Sequence, residues 1–397
     1  MTVPTAAAFR QDIEGLRGVA VTVVVLFHVG LRSVTGGYIG VDVFFVISGY
    51  LISAQLIREV ESHGRVRFLE FWARRFRRLM PLLLVTLVAT LAAGLIVYSP
   101  LFWQQLAQEG TASALYVSNI HFAQRSSFYF QSGTSPLLHT WSLSVEEQFY
   151  VLWPLIVAGV GGCARRCGQA FRRTLVWAIA AASACSFVVA LLLVRRGSPW
   201  AFFSGPSRAW EFGLGALSFL SVGWFGRVGR MVRQFVVAIG LAAIVAAAVL
   251  FDEFTNTPGV ATIVPVLGTA LILVADAGAD RGVGRLLSAA PLRALGRVSY
   301  GWYLFHWPAI VLVAAAMQRS SVTAAAVAAL ASLVLAWLAT RVIESPVRGA
   351  AQLRRPRRVV VATGGACLAI VAAGQLTEAV AHRRMADPPL AALLEAR

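Results

Sequence analysis

The chain has 397 residues, 58% of them hydrophobic and 13% charged, against about 25% charged in a soluble domain, and its mean hydropathy is +0.71; this excludes a soluble globular fold and predicts an integral membrane protein. The net charge of +17 comes from arginines clustered between long apolar runs, where topology signals belong, so no nucleic-acid partner is expected. All 35 basic residues are arginine, which excludes a lysine Schiff base and a phosphate-loop lysine, and with the latter an ATP-driven pump carrying its own nucleotide domain.

Taken from the amino end, apolar windows long enough for a hydrocarbon core of about 30 Å fall near 17–34, 38–57, 79–99, 146–162, 174–194, 208–226, 234–251, 259–276, 299–317, 322–343 and 359–376. They predict an all-α polytopic bundle of about ten or eleven transmembrane helices. The first run is longer than a signal-peptide core and lacks a small-x-small cleavage site, so it reads as a retained helix. The amino end and loops 58–78, 163–173, 227–233, 277–298 and 341–358 hold 26 of the 35 arginines; the positive-inside rule makes these cytoplasmic. Eleven crossings then give a transmembrane domain over 1–376 and a short extracytoplasmic tail or linker over 377–397. Segment 100–145 falls outside, too polar to span and too long for a simple turn, and is predicted to be re-entrant or to lie on the surface. Its Trp103, Tyr116, Phe128 and Tyr129 suit an interfacial belt, and Asp252 and Glu253 fall on the same outer face. The four cysteines show no metal spacing, and no metal is expected.

Ionisable residues inside such spans cost about 2.5–3.5 kcal/mol each on insertion scales, so each is a candidate for function. Arg17 and His28 are eleven residues apart, nearly one helix face, with His28 roughly 16 Å above the arginine. A neutral imidazole is suited to take a proton near pH 7. Asp42 is as far from the turn near residue 35 as His28 is, so the two are expected to meet as a general-base dyad; capping or pairing with Arg32 is the plainer reading of Asp42. Ser48 and Gly49, before Tyr50, would let a helix or ligand approach the backbone. Arg74, Arg75, Arg77 and Arg78 stand at the cytoplasmic mouth of the third span, where guanidinium forks could grip a phosphate-rich cofactor or anionic membrane lipid. The stretch from His139 through Trp141, Ser144, Glu146 and Glu147 opens the fourth span with more acid than capping needs. Arg208 with Glu211, Tyr303 with His306, and Glu344 recur as candidates, with an interhelical clasp the alternative for each.

In this order the motifs resemble the acyltransferase-3 family of membrane O-acyltransferases, of the lipopolysaccharide and peptidoglycan O-acetylase type. The resemblance rests on Asp12 to Gly18 with His28, Gly40 to Tyr50, Arg74 to Pro81, His139 to Tyr150, Ser207 to Gly215, Gly296 to Pro308 and Glu344-Ser345-Pro346. It implies location in the inner (cytoplasmic) membrane, a cytoplasmic acyl-CoA donor, usually acetyl-CoA, and an acceptor hydroxyl on an extracytoplasmic envelope glycan or lipid-linked saccharide. It also implies a required Arg17 and His28 in the first helix and contacts from the arginines after the second helix to the phosphates of CoA. His28, Asp42 and Glu147 are the candidates for chemistry, and Ser48, Tyr50, His139, Trp141, Ser144, Glu146, Arg208, Glu211, Tyr303, His306 and Glu344 for acceptor binding or support. Many relatives continue into an SGNH-type domain that this chain does not show, so acceptor specificity could come from a separate extracytoplasmic partner domain. Two competing readings are a proton-coupled secondary transporter and an enzyme acylating a secreted small molecule such as a macrolide.

Overall fold

The computed structural model describes residues 10–125, 135–276 and 282–385, and every regular element among them is helical. In chain order these are α1 (Gln11–Val29), α2 (Gly40–His63), α3 (Phe68–Val97), α4 (Pro100–Ala114), α5 (Ser118–Arg125), α6 (Thr140–Arg166), α7 (Phe171–Arg195) and α8 (Trp200–Phe203). They are followed by α9 (Gly205–Phe225), α10 (Arg230–Leu250), α11 (Ile263–Ala275), α12 (Gly282–Leu287), α13 (Ala290–Met317), α14 (Val322–Ala339), α15 (Ser345–Gly349) and α16 (Pro356–Met385).

Eight of the described helices are long and apolar enough to cross a membrane: α2, α3, α6, α7, α10, α13, α14 running on through α15, and α16. Helices α1 and α9 occupy predicted spans with 19 and 21 residues, but carry Asp12, Glu14 and Arg17 in one case and Arg208 and Glu211 in the other. Helix α11 has only 13 residues, because the predicted beginning of its span is a series of turns in which Thr262 Oγ1 accepts from the Gly259 N–H at 3.1 Å. The protein is a polytopic all-α membrane protein. Trp177, Phe235, Leu330, Leu335 and Leu376 are exposed on α7, α10, α14 and α16, the surface a bilayer would cover, whereas 83% of the apolar window of α2 is buried and puts that helix at the centre.

Two helix pairs are drawn to backbone contact by small residues. A Cβ on Gly18 would stand 2.2 Å from the Leu292 carbonyl oxygen and one on Gly296 1.8 Å from that of Glu14, so α1 and α13 pack at glycine distance, and they run in parallel from Arg17 beside Ser299 to His28 beside His306. Gly49 and Gly215 act likewise between α2 and α9: a Cβ on either would stand 2.0 Å from a backbone oxygen of the opposite helix. The first pair fixes the partners of His28, the second those of Asp42.

The segment after α3 is re-entrant, as one of its two predicted forms required. Helix α4 doubles back along α3, with Leu106 over Gly94 and Gly110 over Leu91. The turn into α5 passes through Tyr116 in the left-handed region, φ 54°, whose hydroxyl donates to Met80 Sδ at 3.1 Å. Met80 precedes the end of α3 by seventeen residues, 80 to 97, or about 26 Å of helix. Tyr116 is thus deep in the bundle rather than in an interfacial belt. Trp103 is buried with its indole N–H on the Tyr98 carbonyl at 3.0 Å; Phe128 and Tyr129 lie outside the described residues. Buried Glu109 ties α4 to the approach of α6 by accepting from Ser135 Oγ at 2.5 Å and Gln105 Nε2 at 2.8 Å.

Candidate active site

Helix α13 supplies partners to both ends of the α1 motif. Arg17 Nη2 donates to Ser299 Oγ at 3.0 Å, and His28 Nδ1 lies 2.8 Å from His306 Nε2. The proton positions follow from the surroundings. His306 Nδ1 is 3.0 Å from the Trp302 carbonyl, which can only accept, so in the neutral ring Nδ1 carries the hydrogen and Nε2 the lone pair. His28 must then donate through Nδ1, leaving the lone pair of a neutral His28 on Nε2. Trp307 tilts over His28 with ring centroids 4.4 Å apart and is itself fixed by an indole N–H bond to the Ser135 carbonyl at 2.9 Å.

A third imidazole comes from the start of α6. His139 Nε2 donates to the Leu304 carbonyl at 3.1 Å, and the ring meets His306 edge-on at 5.9 Å. Between His139 and the open space below it stands Tyr303, whose hydroxyl is 2.7 Å from Ser142 Oγ and donates to the His139 carbonyl at 3.0 Å. The three imidazoles do not converge on one point; among the described residues no group of His, Cys, Asp or Glu could hold a metal ion.

Below Tyr303 is a cavity of ≈ 720 Å³, counted to its open mouth, with Arg17, Arg75 and Arg78 at its arginine-lined end and Ser48, Glu146 and Tyr150 on its wall. Glu146 accepts from the hydroxyls of both Ser48 and Tyr150. Arg75 stacks over the Tyr150 ring, 5.2 Å to its centroid, and donates to Gln55 Oε1 at 3.2 Å. His28 does not line this cavity. It lines a second recess of ≈ 690 Å³ on the opposite side, between the ends of α1 and α13 and the start of α14. Tyr303 and His306 are three residues apart on α13, about one turn, and the route from one open space to the other runs through three side chains in series, Tyr303, His306 and His28, with ring centroids 5.6 and 5.1 Å apart.

Asp42 is elsewhere. The expected His28–Asp42 dyad does not form, because equal depth on two helices says nothing of the direction each faces; glycine contact with α9 turns Asp42 onto Arg208. Arg208 Nε lies 3.2 Å from Glu211 Oε1 as well, so the predicted Arg208–Glu211 pair is present with Asp42 as a third member. All three are sealed, at 0–2% exposure, and the guanidinium is ringed by Phe45, Trp141 and Phe202 at 5.5, 5.8 and 5.7 Å. Trp141 is therefore packing for that cation rather than part of the cavity wall.

Other expectations divide by helix face. Of the four arginines, Arg75 and Arg78 enter the cavity; Arg74 is turned to Glu59 and Glu70 at 3.6 and 3.8 Å, and Arg77 does not line the cavity. Of the two adjacent glutamates the cavity takes Glu146, not Glu147, which is buried about 100° round the helix. Tyr50 lies on the other side of α2 from Ser48 and accepts from Arg10 Nη1 at 3.1 Å. Ser144 is 2.8 Å from Ser118 Oγ on α5, and Glu344 pairs with Arg348 at 3.3 Å. Sequence reasoning did not single out Ser299, Tyr150 or Trp307, although each lies inside a motif it had marked; their hydrogen-bonding groups at one-turn spacing from chosen residues were the available signal.

The sequence matches the family profile described as an acyltransferase domain over residues 10–341. Peptidoglycan O-acetyltransferase OatA of Listeria monocytogenes is 31% identical over 357 residues, 86% of this chain and 56% of OatA. O-acetyltransferase OatA of Staphylococcus aureus is 29% identical over 354 residues, 86% of this chain and 57% of its own. The Komagataeibacter xylinus protein BcsY, whose name calls it a membrane-bound transacylase, is 36% identical over 311 residues, 76% of this chain and 73% of BcsY. The chain spans a little over half the length of the OatA relatives. No solved structure matches it. The matched residues take in the whole of both clusters, the histidine layer and the sealed triad, and the chain belongs to the acyltransferase-3 family of membrane O-acyltransferases.

Proposed function

We propose that the chain transfers an acyl group, acetyl in the first instance, from cytoplasmic acyl-CoA to a hydroxyl of an envelope glycan beyond the inner membrane. The observation that carries this reading is the position of His28: in the floor of one recess, hydrogen-bonded to His306, one turn from the Tyr303 end of an arginine-mouthed cavity that opens the other way. Peptidoglycan, the substrate in the name of the Listeria relative, is the acceptor we propose, free or lipid-linked. The arginine pattern of the loops supports a cytoplasmic mouth for the cavity.

The cavity residues fit the donor. Three guanidiniums at the mouth suit several phosphate charges, and the wall beyond them offers hydroxyls, aromatic faces and a single carboxylate, suited to an uncharged arm. Coenzyme A itself cannot cross a bilayer, so only the thioester end need pass Tyr303 and His306 to meet the acceptor at His28. In the transfer, His28 Nε2 takes the proton of the acceptor hydroxyl and the oxygen attacks the thioester carbonyl carbon. The carbon–sulfur bond breaks as the carbon–oxygen bond forms, and the thiolate leaves as free thiol with the proton that His28 Nε2 took up. An acyl-imidazole on the same nitrogen is the alternative order of these bond exchanges.

The test is to supply labelled acetyl-CoA to inside-out vesicles holding the protein or His28→Ala and to follow label into envelope polysaccharide. Incorporation that depends on His28 is expected. Its absence, with longer acyl-CoA donors also supplied, would overturn the proposal.

A further inference from the structure

The recess over His28 contains an unpaired charge that acyl transfer does not explain. Arg319 lines it from the turn between α13 and α14, is exposed, and makes no ion pair among the described residues. Beside it are Ser320, Ser321 and the first residues of α14, an 18-residue helix whose amino terminus carries a partial positive charge and donor N–H groups. Ser321 Oγ meets one of those donors, that of Ala324, at 3.4 Å. The carbonyl ends of α1 and α13 also reach the recess, but they are capped: Gly30 and Leu31 donate to Phe27 and Leu26, and Gln318 and Arg319 to Ala315 and Ala314. No carboxylate lines the recess. Its remaining wall, with Ile310, Val313 and Ala325, is apolar, as the flat face of a sugar ring requires. A Cβ on Gly30 would be 3.9 Å from Val322 Cγ2, so the end of α1 that carries His28 abuts the start of the helix that follows Arg319.

We propose that this recess is the acceptor site and that it selects a saccharide bearing an anionic group, held by Arg319 and the amino terminus of α14, while His28 faces the hydroxyl to be acylated. This rests on the acyl-transfer reading of His28. The anion could be a carboxylate on the sugar or the diphosphate of a lipid carrier; both present oxygens that a guanidinium fork grips.

The experiment uses the full chain in detergent or nanodiscs, with acetyl-CoA as donor and three acceptors. These are a chitin pentasaccharide, a peptidoglycan pentasaccharide whose alternate sugars carry a lactyl carboxylate, and polyprenyl-diphosphate-linked chitobiose. The quantity read is the ratio of kcat/KM for each anionic acceptor to that for the neutral one. Arg319→Gln is expected to lower the ratio about tenfold, the scale of one charge-assisted hydrogen bond, Arg319→Lys to keep most of it and Arg319→Glu to favour the neutral sugar. Loss of the ratio for the first anionic acceptor alone assigns a carboxylate, and for the second alone a diphosphate. A ratio unmoved by all three substitutions overturns the inference while leaving acyl transfer standing. Binding of the same saccharides without donor, read by tryptophan fluorescence, separates the two failures. If no acceptor is acetylated yet the carboxylated or diphosphate sugar binds in an Arg319-dependent way, the site stands and the transfer reading falls; equal binding of all three overturns the site.

Discussion

Two clusters of ionisable side chains within the described helices, the histidine layer and the Asp42 triad, differ in access. The layer of Tyr303, His306 and His28 on α1 and α13 has open space on both sides, Tyr303 bordering one and His28 the other. The Asp42–Arg208–Glu211 triad on α2 and α9 is as rich in ionisable groups but lies at 0–2% exposure and borders neither space. Both depend on glycine-tight helix pairs, and both sit in motifs of the family. Burial is common to both; a route in and out is what sets the histidine layer apart.

The sharpest test of that contrast is to remove one member of each cluster. His28→Ala is expected to leave a folded, monodisperse protein and to cut transfer by on the order of 10²–10⁴, measured as label incorporated per mole of protein with thermal unfolding as the control. Arg208→Met should do the reverse, costing about 3–5 kcal/mol of stability because two carboxylates are left buried without their cation. This is read from the melting temperature and the yield of monodisperse protein. Replacing the whole triad with Asp42→Leu, Arg208→Met and Glu211→Leu should restore much of that stability, and with it activity, if the triad is only a clasp; an inactive but stable triple variant would move the triad into the chemistry. A smaller effect separates the arginines. Arg75→Gln and Arg78→Gln should each raise KM for the acyl donor by roughly tenfold, while Arg74→Gln, already matched to Glu59 and Glu70, should change it less than about twofold. The smallest is Tyr303→Phe, which removes bonds to Ser142 and His139 worth about 1 kcal/mol each, read as a modest fall in melting temperature.

Much of this arrangement was legible in the sequence. Hydropathy marked the positions of the long helices, and eleven-residue spacing put Arg17 and His28 on one face of α1. What hydropathy could not supply was direction around each helix axis. Depth counted from a turn made Asp42 a neighbour of His28, whereas Gly18 against Leu292 and Gly49 against Phe212 assign the two residues to different partners. Glu146 and Glu147, or Arg75 and Arg74, differ only by one step of rotation, and that rotation is set by tertiary contacts no single sequence prints. The polarity of 100–145 forbade a simple span, but the depth of its hairpin depends on Tyr116 reaching Met80, a contact between segments 36 residues apart.

A partition three side chains thick between facing cavities has an electrical consequence. Where solvent or polar ligand fills both spaces, the transmembrane voltage falls across the layer rather than across the whole bilayer, and each elementary charge carried through it gains or loses about 2.3 kcal/mol per 100 mV. In the proposed orientation a proton lifted from an outer hydroxyl by His28 and given to a thiolate that departs toward the cytoplasm travels inward, with the voltage of a cell whose interior is negative. Turnover in sealed vesicles would then rise and fall with an imposed potential, an energetic contribution to transfer that detergent solution abolishes.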